Sequence, residues 1–496
     1  MKLPILIAMV LYMAMVIWIG VIYSKKTKTS EDYFLGGRGL GPWVTAMSAE
    51  ASDMSSWLLM GLPGLAYATG FSQAGWTAIG LILGTYLNWK IVAKRLRHYT
   101  EVADNAITVP DFFSNRFKDD KKILCSISAA MILIFFTVYT ASGFAACGTL
   151  FNSVFGLNYQ KSMIVCAIVI VLYTSMGGFL AASTTDLIQG LLMSFAIVIV
   201  LIVGVVNAGG VANVIAHGQA IEGFFDVMKY HDPATGGAVS QGVIPILSGL
   251  AWGLGYMGMP HILIRYISIK SEKEMKKSRI VGTCWTGIIL VMASVVGMVG
   301  LKYLGGGLTD NSQVFIRLVR GVFPALVAGI LLSAILAASM STADSQLLAS
   351  SSAFSSDVYK PIFRKSASDK EMLWAGRIVV IIISVVALAI AMNPDCEGIM
   401  ALVSNAWGAF GSAFGPVIVL SLYWKRLNYN GALASIIVGF AVDMLWYKFL
   451  ATPTGLYEIV PGFAAAFITA IVVSLLTKKP DDKVVEIFEK AKLPTE

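Results

Sequence analysis

The sequence is poor in charged residues, histidine and cysteine. Only 13% of its 496 residues are charged, whereas about 25% is usual for soluble domains. The five cysteines show no paired spacing, and none of the four histidines has a partner at ligand spacing, which argues against a disulfide framework, a zinc site and an organic cofactor. The chain also lacks an H-E-x-x-H motif and a nucleophile paired with a base, which argues against an intramembrane enzyme.

Apolar residues, in contrast, fill long continuous runs. They make up 57% of the chain, and the mean hydropathy is +0.75. About 20 apolar residues in a helix cross roughly 30 Å of hydrocarbon, and continuous runs favour helices over barrel strands. We therefore predict an all-α integral membrane protein with thirteen spans near 4–23, 43–68, 72–93, 123–151, 160–178, 185–207, 240–264, 280–303, 321–355, 373–392, 397–423, 431–450 and 458–477.

Lysine and arginine indicate how the predicted spans are oriented. Alternate loops place 30 of the 37 basic residues on one side, among them Lys25, Lys26, Lys28 and the lysines of the C-terminal tail. The other side holds Lys2, Lys161, Lys229, Lys302, Arg317, Arg320 and Lys448. The positive-inside rule then predicts an external N-terminus and a cytoplasmic C-terminus in a bacterial-type plasma membrane. The net charge of +8 is accordingly a topology signal, and neither nucleic acid nor an obligatory protein partner is predicted.

Two of the predicted spans contain helix-breaking residues. The second carries the polar stretch 52–56 and then Gly61, Pro63 and Gly64, and the seventh holds three glycines and a proline in 252–260. The first break opens one set of five helices and the second opens the next set, which is typical of an inverted-repeat transporter that binds its cargo between the breaks. The alternative is that these residues serve only helix packing and kinks.

The predicted repeats divide the chain into four parts. An additional N-terminal helix and the first cytoplasmic loop occupy 1–41, and the first five-helix repeat with the following external loop occupies 42–239. The inverted second repeat occupies 240–427. Two additional helices and a cytoplasmic tail occupy 428–496.

Several carboxylates fall inside or beside apolar spans, where an ionised group is costly and usually marks an ion or substrate path. Asp53 is the deepest, and we interpret it as favouring a nearby cation; the alternative is a cap on a half-helix. Glu50 lies three residues earlier and is either protonated or turned to a polar vestibule. Asp186 is either a helix N-cap or a station on an ion path, with Asp344 and Ser345 beside it.

Hydroxyls and aromatic rings complete the candidate groups. Positions 338, 341, 342 and 345 share one face of the ninth predicted helix, and their oxygens suit a small hard cation, although small residues also serve close helix packing. Tyr139, Trp252 and Tyr256 lie within spans rather than at the interfaces. Their rings can line a small pocket, with core packing as the alternative.

Three stretches resemble a known family. The run YFLGGRGLGPWVTAMSAEASDMSSWLLMGLPG from Tyr33 to Gly64, with WGLGYMGMPHILIRY at 252–266 and AASMSTADSQLL at 337–348, closely resembles the solute:sodium symporter family, in particular its bacterial sodium/proline symporters. The resemblance covers about residues 1–480. It implies a leucine-transporter-like core of five plus five inverted helices, with one helix before it and two after it.

The resemblance also implies roles for individual residues. Sodium would bind the carbonyls of Ala51, Met54 and Ala338 and the hydroxyls of Ser341 and Thr342, with Asp53 supporting tight binding. The implied proline contacts are Ser55, Ser56, Tyr139, Trp252, Tyr256 and Pro260. Arg38 matches a residue linked to coupling, and Asp186 matches an acidic residue on the sodium exit route. In some relatives Asp186 helps to form a second sodium site with residues matching Ser341 and Ser345.

Two departures from the family pattern concern Ser56, where glycine is common, and Glu50, where a small or neutral residue is common. The hydroxymethyl group at Ser56 narrows the implied pocket. The sequence as a whole predicts sodium-coupled uptake of L-proline by alternating access. The alternatives are a sodium symporter of another small solute, such as pantothenate, a betaine or another amino acid, and a passive channel.

Overall fold

The computed structural model describes residues 2–25, 27, 29–393, 396 and 398–492. Lys26 and Lys28, which belong to the predicted cytoplasmic basic set, lie outside these residues. The helices are α1 (Lys2–Ser24), α2 (Ser30–Leu35), α3 (Pro42–Asp53), α4 (Gly61–Thr69), α5 (Phe71–Leu87), α6 (Lys94–Val102), α7 (Val109–Phe117), α8 (Ile123–Phe155), α9 (Tyr159–Asn207), α10 (Val211–Gln219), α11 (Val243–Ala251), α12 (Pro260–Ser268), α13 (Met275–Leu304), α14 (Val314–Val322), α15 (Ala325–Ser352), α16 (Asp369–Met392), α17 (Ile399–Tyr423), α18 (Tyr429–Phe449), α19 (Ala451–Thr454), α20 (Ile459–Leu476) and α21 (Asp482–Lys490).

Most of the long helices are apolar enough to cross a bilayer. In the described part of the chain, nine helices are long enough and apolar enough to cross a bilayer, or ten if the bent pair 243–257 and 260–268 forms one span. This count is lower than the thirteen predicted spans for two reasons. The pair α3 and α4 and the 17-residue α5 are individually short, and α9 covers two predicted spans in one helix of 49 residues.

The backbone leaves helical geometry at the end of α3. Met54 has φ −74° and ψ 71°, Ser55 is extended, and one 3₁₀ turn at Ser56–Leu58 precedes α4. The Ser55 N–H donates to the Asp53 carbonyl, 2.8 Å away, instead of continuing the helical pattern to Ala51. The Ala51 carbonyl is therefore released from the helix and can accept a bond from elsewhere.

A second interruption separates α11 from α12. The chain passes through a 3₁₀ helix at Trp252–Met257, and Pro260 then begins α12, where its missing N–H leaves no helical bond unmade. Gly255 allows this segment to approach α17 closely, because a Cβ there would lie 1.9 Å from Nε1 of Trp407. The two helix axes differ in direction by 46°.

Helix α9 bends at Gly178, which has φ 61° and ψ −158°. Glycine adopts this left-handed region without the steric cost that other residues meet. Helical hydrogen bonding resumes immediately after the bend, so that Asp186 lies inside α9. The interpretation of Asp186 as a helix N-cap was therefore wrong.

Helix α15 lies at the centre of the bundle and packs against α1, α3, α8 and α9. All of its side chains from Leu331 to Ser352 are buried, and a π-helical segment at Ala353–Phe363 extends it. After α9, the chain forms a short segment that lies between the long helices α9 and α13 in sequence. It contains α10 and an antiparallel hairpin of β1 (Lys229–His231) and β2 (Ala238–Ser240), with Tyr230 opposite Val239.

Candidate functional site

The end of α3 meets the middle of α15 through three oxygen atoms. The Ser341 hydroxyl lies 2.8 Å from the Ala51 carbonyl and 3.2 Å from the Ala338 carbonyl, and both are within donating distance. Ala51 is the residue whose carbonyl the helix break releases, whereas Ala338 lies one turn before Ser341 in α15. All three residues are buried, so this junction is shielded from the surface.

Two further predicted ligands lie at the same junction. Thr342, next to Ser341 in α15, is buried, and its Oγ1 has no hydrogen-bond partner among the described residues. Met54 is the residue at which α3 ends, and it is also buried. A buried hydroxyl that lacks a partner is costly, and a bound cation would supply one. The arrangement therefore offers a small cation oxygen ligands from two helices.

Asp53 connects the two helix interruptions. Its Oδ2 accepts a 2.6 Å hydrogen bond from the Tyr256 hydroxyl, and its Oδ1 is buried with no partner in the described part of the chain. The residue that caps α4 is Met60, and no side chain caps that helix end. Asp53 thus contacts the second interruption instead of capping a half-helix.

Aromatic side chains surround the space between the interruptions. The Trp252 ring lies 6.4 Å from that of Trp57 and 5.3 Å from that of Tyr457, centroid to centroid, and stacks on Tyr457. Trp407 donates from Nε1 to the Trp252 carbonyl at 2.7 Å, and its ring meets Tyr256 edge-on at 5.0 Å. Trp57, Trp407 and Tyr457 were absent from the predicted set, since single tryptophans and tyrosines in apolar runs carry no signal of direction.

The other predicted substrate contacts are buried in the same region. Ser55, Ser56, Tyr139 and Pro260 are each almost inaccessible to solvent. The Ser56 hydroxyl has no hydrogen-bond partner among the described residues, so a polar ligand group could pair with it. Pro260 and Gly61 begin α12 and α4, and the positive end of a helix dipole at such an N-terminus favours a carboxylate.

A cavity of about 870 Å³ leads toward the first interruption from one end of the bundle. Its wall includes Met60 and Gly61 beside the break, and the loop residues Asn158, Asp310 and Asn393. These loops belong to the side that the basic-residue distribution assigns to the exterior. We call this cavity, which reaches the first interruption at Met60 and Gly61, the vestibule.

An ion pair is buried on the opposite side of the interruption. Asp186 Oδ2 accepts hydrogen bonds from Ser48 Oγ at 2.6 Å and from Arg265 Nη2 at 3.1 Å. Asp344 accepts from the Tyr173 hydroxyl at 2.8 Å and from Ser345 at 3.0 Å, and Ser345 itself accepts from Arg265. The structure thus brings Asp186, Asp344 and Ser345 together, as predicted, but adds Arg265, which lies just after the seventh predicted span and was not among the predicted site residues.

Glu50 faces a different part of the protein. Its two carboxylate oxygens accept hydrogen bonds from Trp89 Nε1 at 2.7 Å and from Thr286 Oγ1 at 2.9 Å. Gly282 of α13 leaves room for this contact, since a Cβ there would lie 2.8 Å from Glu50 Oε1. The carboxyl group is turned to these two donors and not to the vestibule.

Arg38 lies where the chain enters α3, on the side away from the vestibule. Its guanidinium donates to the carbonyls of Ile267 and Ala106, at 3.0 and 2.9 Å, and to the Thr100 hydroxyl. Ile267 is in the last turn of α12, where free carbonyls favour a cation. Burial and the nearby charge of Arg97 lower the pKa of Arg38 to about 10. Arg38 therefore ties the start of α3 to the end of α12.

One histidine also has partners that sequence spacing did not reveal. His98 Nδ1 lies 2.7 Å from Glu272 Oε1, and Glu101 is close enough to complete a set of three possible ligand atoms. The partner comes from a loop more than 170 positions away, so neighbouring residues gave no indication of it. Its location is remote from the junction of α3 and α15.

A predominantly helical membrane chain whose two interrupted helices meet at buried oxygens has the architecture of an ion-coupled secondary transporter. Comparison with solved structures agrees: a Na⁺-coupled sialic acid symporter in a substrate-bound, outward-open state superposes with a TM-score of 0.79 and 22% identity, over 96% of this chain and 99% of that one. At that identity the likeness establishes the fold.

The model of the sodium:solute symporter family matches residues 33–439, and the chain belongs to that family. It is 47% identical to the osmoregulated proline transporter OpuE of Bacillus subtilis, over 97% of this chain and 96% of the relative. It is 44% identical to the sodium/proline symporter of Escherichia coli, over 98% and 96%. The family resemblance inferred from the three sequence stretches is confirmed.

Proposed function

We propose that this chain couples inward movement of sodium to uptake of L-proline by alternating access. The observation that carries the proposal is the junction at which the Ser341 hydroxyl meets the carbonyls of Ala51 and Ala338, beside the first helix interruption. Similarity to proline transporters along almost the whole chain supports proline as the cargo.

The proposed sodium site consists of Ala51, Met54, Ala338, Ser341 and Thr342. In this site sodium would take over the two carbonyls that Ser341 now satisfies, and the Thr342 oxygen would gain a partner. Asp53 would support binding electrostatically from the neighbouring turn, because a buried carboxylate favours a nearby cation. This ligand set also holds the cytoplasmic half of the first interrupted helix against α15.

Proline would bind on the vestibule side of the sodium ion. Its ring would pack against the aromatic side chains, and its carboxylate would face the N-terminus of a half-helix. The proposed contacts are Ser55, Ser56, Tyr139, Trp252, Tyr256 and Pro260. Asp53 directly precedes Met54 of the proposed sodium site and bonds to Tyr256 of the proposed proline site. The sodium ion and proline would therefore both lie close to Asp53.

Coupling requires that sodium and proline prefer the same conformers, since a ligand without such a preference shifts no equilibrium. Sodium would stabilise an outward-open state, and occupation of both sites would permit the change that exposes them to the cytoplasm. At 100 mV one charge supplies about 2.3 kcal/mol, or roughly forty-fold accumulation. Arg38 lies just before α3 and bonds to the end of α12, so its hydrogen bonds would change when these two helices move relative to one another.

We also propose thirteen spans in the arrangement predicted from the sequence, with the repeats at 42–239 and 240–427. At 1.5 Å per residue, the 49 residues of α9 are long enough to cross about 30 Å of hydrocarbon twice if the chain reverses at Gly178. The distribution of lysine and arginine, with 30 of the 37 on one side, supports an external N-terminus and a cytoplasmic C-terminus.

Another small solute is the alternative cargo, because the Ser56 hydroxyl is buried and lacks a partner where many family members carry glycine. The proposal is tested by uptake of radiolabelled L-proline into proteoliposomes under an inward sodium gradient, with a competition panel of pantothenate, betaine and other amino acids. We expect sodium-dependent accumulation in which excess L-proline competes best.

The Asp53→Asn variant should reduce this uptake at least tenfold, because the amide keeps an acceptor for Tyr256 but removes the charge that favours sodium. Asp232→Asn, which removes an exposed carboxylate beside the external hairpin, is the matched control and should retain uptake. Equal uptake in potassium without sodium would refute the proposal.

A further inference from the structure

A small basic pocket lies where the loop before α8 meets the π-helical segment Ala353–Phe363 that extends α15. Its volume is about 370 Å³, and its wall contains Lys122, Lys360 and Lys365. Of the described residues, Asp120 is the only carboxylate in this wall. Three lysines against one aspartate leave the pocket positively charged. The two loops that supply these residues lie on the side to which the sequence analysis assigns most of the lysines and arginines.

Two of the three lysines form no ion pair among the described residues. Lys360 and Lys365 are exposed, whereas the Lys122 ammonium group donates to the Ser114 hydroxyl at 2.7 Å. The Ser356 hydroxyl also lines the pocket, is shielded from solvent and has no hydrogen-bond partner in the described part of the chain. A shielded hydroxyl without a partner is costly, and an anionic oxygen in the pocket would supply one.

The carboxylates just outside the pocket wall face other groups. The two oxygens of Asp357 lie 2.9 and 2.8 Å from the Thr108 hydroxyl, which donates to them. Asp119 accepts from the backbone N–H groups of Ile123 and Cys125 in the first turn of α8. These bonds hold the π-helical segment to the start of α7 and fix the start of α8. The walls of the pocket are therefore formed in advance, which favours ligand binding.

Exposed apolar side chains flank the pocket. Ile123 follows Lys122, and Ile362 and Phe363 follow Pro361 of the pocket wall; they are 42%, 49% and 70% exposed. Such side chains at the end of a membrane span reach the hydrocarbon, while lysine ammonium groups extend to the headgroup layer. A lipid phosphate gains from both surfaces, whereas a soluble phosphate gains nothing from the apolar flank.

We propose that this pocket binds the phosphate headgroup of an anionic phospholipid at the membrane surface. Lys360 and Lys365 would pair with the phosphate oxygens, and the Ser356 hydroxyl would donate to one of them. The acyl chains would lie against Ile362 and Phe363. The lipid would thereby join the start of α8 to the end of α15, the helix that carries the proposed sodium ligands. This site is separate from the proposed cargo sites and does not depend on which solute is transported.

Equilibrium binding of tritiated phosphatidylglycerol to the purified full-length chain in a neutral detergent tests the proposal. The competitors are unlabelled phosphatidylglycerol, unlabelled phosphatidylcholine and inorganic phosphate. We expect unlabelled phosphatidylglycerol to compete at about tenfold lower concentration than phosphatidylcholine, and inorganic phosphate to compete no better than phosphatidylcholine. The double variant Lys360→Gln/Lys365→Gln should bind phosphatidylglycerol about tenfold more weakly than the wild type.

Lys273→Gln/Lys276→Gln is the matched control, because it removes two exposed lysines on the same side of the protein but outside the pocket. That variant should bind phosphatidylglycerol with the wild-type affinity. An equal loss in both double variants would assign binding to the overall surface charge and would overturn the inference. Equal competition by the two phospholipids, or an unchanged affinity in Lys360→Gln/Lys365→Gln, would also overturn it.

Inorganic phosphate that competes as well as phosphatidylglycerol would identify a site for the free anion and would contradict a lipid site. If the lysine variant does not fold, Ser356→Ala decides in its place. Loss of one hydrogen bond to the phosphate should weaken phosphatidylglycerol binding about threefold. An unchanged affinity in Ser356→Ala would then overturn the inference.

Discussion

Ser341 is the side chain on which the proposed sodium site depends most. Its hydroxyl contacts the carbonyls of Ala51 and Ala338, which belong to the two different helices α3 and α15. Thr342 contributes a second buried oxygen on the adjacent position. Ser341 and Thr342 supply the side-chain oxygens of the proposed site, and backbone carbonyls supply the other ligands.

Replacing either residue should weaken sodium binding without lowering the amount of the protein in the membrane. For Ser341→Ala and Thr342→Ala we expect the sodium concentration for half-maximal proline uptake to rise about tenfold, which corresponds to about 1.4 kcal/mol. Each substitution removes one oxygen ligand but leaves the helix intact. Uptake measured over a series of sodium concentrations checks this expectation.

Ser339→Ala is the matched control, because the Ser339 hydroxyl donates to the Ile335 carbonyl of its own helix. That variant should keep the wild-type sodium dependence. If the sodium concentration for half-maximal uptake were the same in Ser341→Ala as in Ser339→Ala, Ser341 would not belong to the proposed site.

Much of the candidate site follows from residue types and spacing. The hydroxyl face of α15 and the break after Asp53 are both visible in the sequence, and the structure brings Ala51, Ala338, Ser341 and Thr342 to one junction. Their role as sodium ligands stays a prediction. The aromatic neighbours Trp57, in a 3₁₀ turn, and Trp407, in α17, could not be predicted, because tertiary packing decides which side chains of these segments face the interruptions.

At the scale of helices, Glu50 fastens one half of an interrupted helix. Through Trp89 and Thr286 it connects α3 to the π-helical segment Asn88–Ala93 and to α13. Sequence spacing indicated only a second carboxylate near Asp53. The partners that account for it lie 39 and 236 positions away, where no local pattern can identify them.

Glu50→Gln should be tolerated, because the amide oxygen can accept from Trp89 and the amide nitrogen can donate to the Thr286 oxygen. Glu50→Ala leaves two buried donors unpaired, at about 1–3 kcal/mol each. We therefore expect a melting temperature in detergent that is near wild type for Glu50→Gln and lower by several degrees for Glu50→Ala.

Proline uptake by Glu50→Gln should stay within about threefold of wild type, since the hydrogen bonds rather than the charge hold α3 in place. A loss of sodium-dependent uptake in a Glu50→Gln protein of normal thermal stability would contradict this structural role. It would indicate that the ionisable group itself takes part in transport.

Asp186 and Arg265 mark where helix-level prediction failed. The interpretation of Asp186 as a helix N-cap was wrong because helical hydrogen bonding resumes immediately after the bend at Gly178, and Asp186 therefore lies inside α9. Arg265 directly follows the seventh predicted span, 240–264, and no neighbouring residue in the sequence indicated a buried partner for it. Its partner Asp186 is 79 positions away, and only the packing of α12 against α9 reveals the pair.

At the scale of the whole molecule, polar contacts are arranged differently on the two sides of the interruptions. Toward the sparsely basic side, a cavity of about 870 Å³ reaches Met60 and Gly61. Toward the other side, Arg265 and Arg38 hold α12 to α3, α9 and the segment before α3. In the orientation proposed above, this arrangement corresponds to an outward-facing conformer that is closed toward the cytoplasm. Opening inward would require these arginine contacts to separate.

The central claim is that sodium and L-proline stabilise the same conformer of this chain. Isothermal titration of the purified protein with L-proline, in sodium and in potassium at equal ionic strength, tests it most directly. The account predicts that sodium strengthens proline binding at least tenfold, within the 5- to 150-fold range of coupling energies of about 1–3 kcal/mol. Proline binding of equal affinity in the two salts would contradict the account.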